Sequence, residues 1–174
     1  MRAKPDRRPA RTISIRPAVR ADSALILRFI RALATYEKLL GEVEATERML
    51  RDTLFPAGGR PPAANVLIGE VDGRPAGFAL YFFNYSTFLA RPGIYLEDIF
   101  VEPGLRRLGL GKALLLHVAG LARRLRCGRV EWSVLDWNRP AVGFYRSLGA
   151  RSLDEWTVFR LAGPALRRLP AARR

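Results

Sequence analysis

The sequence predicts one mixed α/β domain with a mostly antiparallel sheet, a central parallel β–α–β unit and helices on both faces. Three observations lead there: two apolar runs meet at Asp72-Gly73, a long helical repeat lies between two further apolar runs, and 174 residues suit a single core. Thr12 to Pro17 alternates as a short strand. Leu25, Ile26, Phe29, Ile30, Leu33 and Tyr36 then share one helical face behind the capping residues Asp22 and Ser23. A second helix is expected from Thr46, its cap, to Leu54, and Pro56 to Pro62 reads as a loop. Asp72-Gly73 is a strong two-residue hairpin signal between strands Val66–Val71 and Ala76–Phe83. Arg91-Pro92-Gly93 should break the chain before a strand Ile94–Val101, whose apolar run is interrupted by Glu97-Asp98. Leu110, Leu114, Val118, Leu121 and Leu125 mark a helix. A strand Arg129–Leu135, a helix Pro140–Leu148 and a final strand pair around Trp156–Leu161 complete the expectation.

Composition removes several classes of protein. The chain is 49% hydrophobic and 26% charged, without an apolar run long enough to span a bilayer and without the apolar stretch of a secretory signal after Met1, so a cytoplasmic protein with no membrane partner is expected. One cysteine, Cys127, and one histidine, His117, offer neither a disulfide framework nor a zinc cluster, and no metal is expected. The formal net charge of +14 directs attention to polyanions, but much of it sits at the ends. Residues 1–12 carry a net +4 and residues 160–174 a net +5, each with prolines that oppose regular structure. The division expected is therefore a basic flexible arm (1–12), a folded domain (13–162) and a basic tail (163–174). Nucleic acid is open to these ends as a partner but is not favoured, since nearly all the basic residues are arginine and a compositional bias would produce the same count.

The turn from Val101 to Lys112 carries the chemistry of anion binding. Gly109 and Gly111 let main-chain N–H groups approach a ligand, the following helix start supplies unpaired donors, and Arg106, Arg107 and Lys112 add positive charge. Leu110 stands where a Walker loop needs Lys and Ser/Thr, and Leu114 stands where a dinucleotide fingerprint needs its third glycine.

Arg106-x-x-Gly109-x-Gly111 between a strand and a long helix resembles the signature of the GNAT family of acetyl-coenzyme-A-dependent N-acetyltransferases. Tyr95 to Val101, Asp136 to Ala141, Phe144-Tyr145, Leu148-Gly-Ala150 and Tyr36-Glu37 are similar to the successive motifs of its spermidine/spermine N-acetyltransferase branch, from about Ile13 to Leu161. The resemblance implies a single-domain GNAT fold, acetyl-coenzyme A as co-substrate and a homodimer. It implies that Arg106, Arg107, Leu108, Gly109, Leu110, Gly111 and Lys112 hold the pyrophosphate. Ile99, Phe100 and Val101 would pair with the pantetheine arm where the strand after Arg129 splays away, and Asn138, Arg139, Pro140 and Ala141 would border the cofactor. Tyr145 would protonate the departing thiolate and Glu97 would be the base, with Tyr36, Glu37, Glu97, Asp98 and Glu155 around the amine.

The chemistry agrees with these assignments, because a protonated amine cannot attack a thioester and a carboxylate buried in a strand suits its deprotonation. Plainer roles compete: Glu97-Asp98 as one outward and one tied carboxylate, Tyr145 as a core aromatic, Trp132, Trp137 and Trp156 as packing, and Arg123, Arg124 and Arg126 as a solvated face. A covalent intermediate on Cys127 is disfavoured by its distance in sequence from both motifs. Ser86 and Leu40-Gly41 stand where the polyamine enzymes carry acids, so a shorter amine, a diamine or a lysine-like amino acid is as credible as spermidine. A protein lysine or N-terminal amine as acceptor, and a non-catalytic coenzyme A or nucleic-acid binding module, are the alternatives.

Overall fold

A computed structural model describes residues 11–170, which divide after Ser133 into two compact units. Most of the expected arm and the end of the expected tail lie outside the described residues. In chain order the first unit contains β1 (Ile13–Pro17), α1 (Ser23–Glu37), α2 (Glu47–Leu54), β2 (Asn65–Val71), β3 (Arg74–Ser86), β4 (Arg91–Val101), α3 (Leu110–Arg124) and β5 (Val130–Glu131). The strands form one sheet in the order β1-β2-β3-β4-β5, antiparallel except for β4 with β5. The parallel β4–α3–β5 unit therefore closes the edge of the sheet rather than its centre.

Local chemistry explains the turns. Asp72 and Gly73 take φ of 52° and 74°, the paired positive values of a type I′ turn, whose twist matches that of β2 and β3. The Asp72 carboxylate and N–H also exchange hydrogen bonds with the Thr12 N–H and carbonyl, which ties the start of β1 to the hairpin. Thr46 caps α2 by accepting the Met49 N–H at 3.2 Å. Asp22 does not cap α1. Its carboxylate takes a bidentate Arg16 at 2.7 and 2.9 Å and the Val19 N–H at 2.7 Å, while Arg16 Nε donates to Glu70 at 3.0 Å. These charge-assisted bonds hold the Asp22 carboxyl below its usual range, although it is only 9% exposed, and join β1, β2 and the start of α1.

Two layers of helix cover the sheet. Ile26 and Phe29 of α1 and Leu50 and Leu54 of α2 pack on Val66, Ile68, Phe78, Leu80 and Phe100, with the Phe29 and Phe78 rings stacked at 5.7 Å. On the opposite face Gly69 has no side chain because Leu110, at the start of α3, occupies the space: a Cβ there would lie 2.7 Å from its Cδ1. Full burial of each large side chain in these layers contributes about 1.5–3 kcal/mol.

Three expectations are corrected. Arg91-Pro92-Gly93 does not break the chain; it extends β4 against Asn84–Ser86, and the turn lies before it, where Ser86 Oγ accepts the Leu89 N–H. β5 pairs over Val130–Glu131 only, not to Leu135. In the second unit Trp156–Leu161 form no strand pair; Trp156 is 70% and Phe159 91% exposed, so packing is not what Trp156 does there. That unit contains α4 (Arg139–Ser147) and a short α5 (Gly163–Arg167), which begins within the expected tail and accommodates Pro164 in its first turn.

Backbone proximity gives a stability test. A Cβ on Gly77 would lie 2.3 Å from the Phe100 carbonyl oxygen, whereas one on Gly120 within α3 would meet nothing nearer than 3.8 Å. Gly77→Ala is expected to cost about 2 kcal/mol or more in urea unfolding, and Gly120→Ala to add about 0.5–1 kcal/mol through helix propensity.

Candidate active site

The first element of the site is an irregularity in β4. Leu80 faces Asp98 and Tyr81 faces Leu96, so Glu97 is an extra residue without an opposite number, a β-bulge. Cross-strand partners share a face, which places Asp98 with Leu80 and Phe100 on the α1 side, and Ile94 and Leu96 on the other. Glu97 is exposed, against the expectation of a buried base; the desolvated carboxyl is that of Asp98. Burial, then repulsion from Glu97 and from Glu37, push the Asp98 carboxyl up to about 7.

Glu37 reaches this cluster from the last residue of α1. Lys38 ends the helix in the left-handed region at φ 63°, its N–H and that of Leu39 returning to the final turn. Glu37 thus sits at the negative end of the helix dipole, and burial raises its carboxyl as well. Among the described residues no ion pair engages Glu37, Glu97 or Asp98. In a chain of net charge +14, these three carboxyls are a local concentration of acid whose chemistry suits a cation.

The second element follows β4 directly. A short 3-10 turn, Pro103–Leu105, leads to Arg107 at φ 64° and Gly109 at φ 95°, and α3 begins at Leu110. The first helical bond is from the Ala113 N–H to the Gly109 carbonyl, so the amides of Leu110, Gly111 and Lys112 precede the ladder and have no helical acceptor. Those amides, with the Arg107 and Lys112 side chains, make a donor set that suits a pyrophosphate. The Arg106 guanidinium is turned elsewhere: Nε donates to the Val101 carbonyl at 3.1 Å, and its carbon lies 4.4 Å from the Tyr36 ring centroid and 5.9 Å from that of Phe100.

The third element is the open edge of β4. Its parallel partner stops at Glu131, opposite Tyr95, with the Tyr95 and Ser133 hydroxyls 2.8 Å apart just beyond. From Leu96 to Val101, a stretch that includes Ile99 and Phe100, the main-chain groups pointing away from β3 have no ladder partner among the described residues. In the second unit Asn138 is 9% exposed and its Oδ1 accepts the Ala141 N–H at 3.4 Å, capping α4, which carries Arg139, Pro140, Ala141 and Tyr145. Tyr145 is half-buried with its ring 5.3 Å from Phe144, and Glu155 is exposed. Sequence reasoning missed the bulge, the partnership of Arg106 with Tyr36 and the placing of Glu37 at a helix end. Only the last had a signal, the stop of the apolar repeat at Tyr36.

A mixed sheet with a released strand edge is thus followed by a glycine turn into a long helix, whose donors suit a phosphate-bearing ligand. The chain belongs to the acetyltransferase (GNAT) family, whose model matches residues 29–150, and it is an N-acetyltransferase; members of that family generally use acetyl-coenzyme A. It is 40% identical over 168 residues to the thialysine N-epsilon-acetyltransferase of Bos taurus, covering 90% of this chain and 96% of that protein. It is 36% identical over 196 residues to the L-ornithine N5-acetyltransferase of Arabidopsis thaliana, covering 87% and 85%. An integron cassette protein of V. cholerae shares the fold, with a TM-score of 0.71 at 24% identity over 90% of this chain and 96% of that one. Among the described residues no helix is long and apolar enough to cross a membrane.

The raised Asp98 carboxyl carries a stability consequence. The folded chain holds that proton to about pH 7, the unfolded chain only to its ordinary value of 3.8, so Asp98 lowers stability progressively as pH rises between the two. Asp98→Asn should therefore stabilise the protein at pH 8, by no more than about 4 kcal/mol, and much less at pH 4.5. Thermal unfolding at both pH values checks the sign; an equal effect at both would remove the titration as its cause.

Proposed function

We propose that this protein transfers acetyl from acetyl-coenzyme A to the terminal primary amine of a small cationic molecule, a lysine-like amino acid or a diamine. The observation that carries the reading is the group of three carboxyls, Glu37, Glu97 and Asp98, which have no ion-pair partner among the described residues and lie next to the released edge of β4. The thialysine and ornithine enzymes, both named for the side-chain amine of a diamino acid, support it. The family resemblance adds a homodimer in the cytoplasm.

Bound acetyl-coenzyme A supplies an acetyl group already activated as a thioester. The amides of the 107–112 turn, with Arg107 and Lys112, hold the pyrophosphate. Ile99, Phe100 and Val101 offer outward main-chain groups to the pantetheine arm and an N–H to the acetyl carbonyl, and Asn138, Arg139, Pro140 and Ala141 border the cofactor. Tyr36, Glu37 and Glu97 orient the amine, with Glu155 serving a second cationic group. Asp98, which ionises near neutrality, accepts the proton that leaves the ammonium as nitrogen bonds to the acetyl carbon. Tyr145 gives its phenolic proton to the sulfur as the carbon–sulfur bond breaks. Glu97 acts on this step chiefly through its charge, which helps to set the proton affinity of Asp98.

Release of thiol from acetyl-coenzyme A should be seen with thialysine, lysine, ornithine or putrescine and be far slower with a basic peptide; turnover confined to the peptide would overturn the reading. The acidic limb of the kcat/KM profile should lie near pH 7. Glu97→Gln should move it to lower pH by removing a like charge, and Asp98→Asn should abolish it. Tyr145→Phe should lower kcat about 10²-fold while coenzyme A binds as before, measured by calorimetry.

A further inference from the structure

We propose that Arg106 is a positioning residue whose stacking on Tyr36 couples the amine site to the coenzyme-binding turn; this rests on the function proposed above. The Arg106 guanidinium lies 4.4 Å from the Tyr36 ring centroid, while its Nε donates to the Val101 carbonyl at 3.1 Å. Tyr36 is followed at once by Glu37, where α1 ends, and Arg106 is followed at once by Arg107, whose φ of 64° opens the anion-binding turn. One side chain thus joins the end of the helix that carries an amine-facing carboxyl to the start of the turn that carries the phosphate donors. Two helical turns earlier, Arg28 of α1 pairs with Glu102 at 2.5 Å, so the segment between β4 and the turn is fastened to α1 at two points.

The choice of partner matters electrostatically. A guanidinium paired with one of the carboxyls would cancel part of the field that attracts an ammonium group. Here the Arg106 guanidinium lies over the rings of Tyr36 and Phe100, while burial raises the Glu37 carboxyl and burial, then repulsion from Glu97 and Glu37, raises that of Asp98. The planar guanidinium suits this role, since it stacks on a ring and still donates in its own plane.

The test is coenzyme A binding without amine, followed by calorimetry, so that its outcome is independent of which amine the enzyme accepts. Tyr36→Leu, on the helix that carries Glu37, should weaken coenzyme A about fivefold, Arg106→Met by a similar factor, and the double variant no more than the weaker single. Tyr36→Phe, which keeps the ring, should retain coenzyme A affinity. Both disruptive variants should also raise KM for the amine by more than they lower kcat. Unchanged coenzyme A affinity in folded Tyr36→Leu, or losses that simply add in the double variant, would overturn the coupling. If circular dichroism shows that Tyr36→Leu does not fold, Arg106→Lys decides: the coupling requires weaker coenzyme A binding although the charge is kept, and full affinity would leave Arg106 as a charge alone.

Discussion

A single extra residue in β4 sets the arrangement on which the site depends. Along an unbroken strand Ile94, Leu96, Asp98 and Phe100 would point to one face, and Asp98 would enter the layer beneath α3. The bulge at Glu97 divides the series. Ile94 and Leu96 stay under α3, while Asp98 and Phe100 turn to α1, beside Leu80 on one side and within the field of Glu37 on the other. The same insertion leaves Glu97 unpaired and exposed at the bend. One backbone irregularity therefore assembles three carboxyls that sequence separation and strict alternation would have kept apart.

The released edge and the glycine turn depend on what holds β4 in place. Its inner edge pairs with β3 through every residue of the strand but Glu97, and its outer edge with β5 over only two. A longer β5 would satisfy the outward main-chain groups from Leu96 to Val101 and leave none for a ligand. The turn that follows contains positive φ at Arg107, where a side chain is strained, and at Gly109, where none is present. Such a conformation persists only when its ends are fixed, and the Arg106 bond to Val101, the Arg28–Glu102 pair and the seating of Leu110 against Gly69 fix them.

The parts of this fold that were legible in the sequence are those governed by local chemistry. Asp72-Gly73 specifies a type I′ turn whatever the rest of the chain does, Thr46 caps a helix with its own hydroxyl, and the apolar repeat from Leu110 fits the observed α3 closely. The glycine turn was legible for the same reason, because positive φ and close approach demand particular residues. What escaped was decided across strands. Arg91-Pro92-Gly93 carries every mark of a break, yet β3 continues to Ser86 and offers it a partner, and proline is tolerated there near the strand end. Nothing in Glu97-Asp98 states which residue is inserted, since that depends on the register of β3, so the more buried acid was assigned to the wrong neighbour. Arg129–Leu135 and Trp156–Leu161 have strand-like composition, but composition supplies no hydrogen-bonding partner.

The distribution of charge completes the argument. Over the whole chain arginine and lysine outnumber acids by fourteen, and a cationic substrate would be repelled by that excess if it acted at a distance. At physiological ionic strength charges beyond roughly 8 Å are largely screened, so a cation at these carboxyls would respond to the groups around it. Around Asp98 stand Glu97, Glu37 and a negative helix end, while the Arg106 guanidinium lies over the Tyr36 and Phe100 rings. Burial, and then repulsion from Glu97 and Glu37, raises Asp98 toward neutrality and lowers the stability of the protein as pH rises. An ammonium group bound there would relieve that repulsion and at the same time favour loss of the Asp98 proton. Binding of a cation and readiness of a proton acceptor would thus both follow from one buried, mutually repelling group of carboxyls.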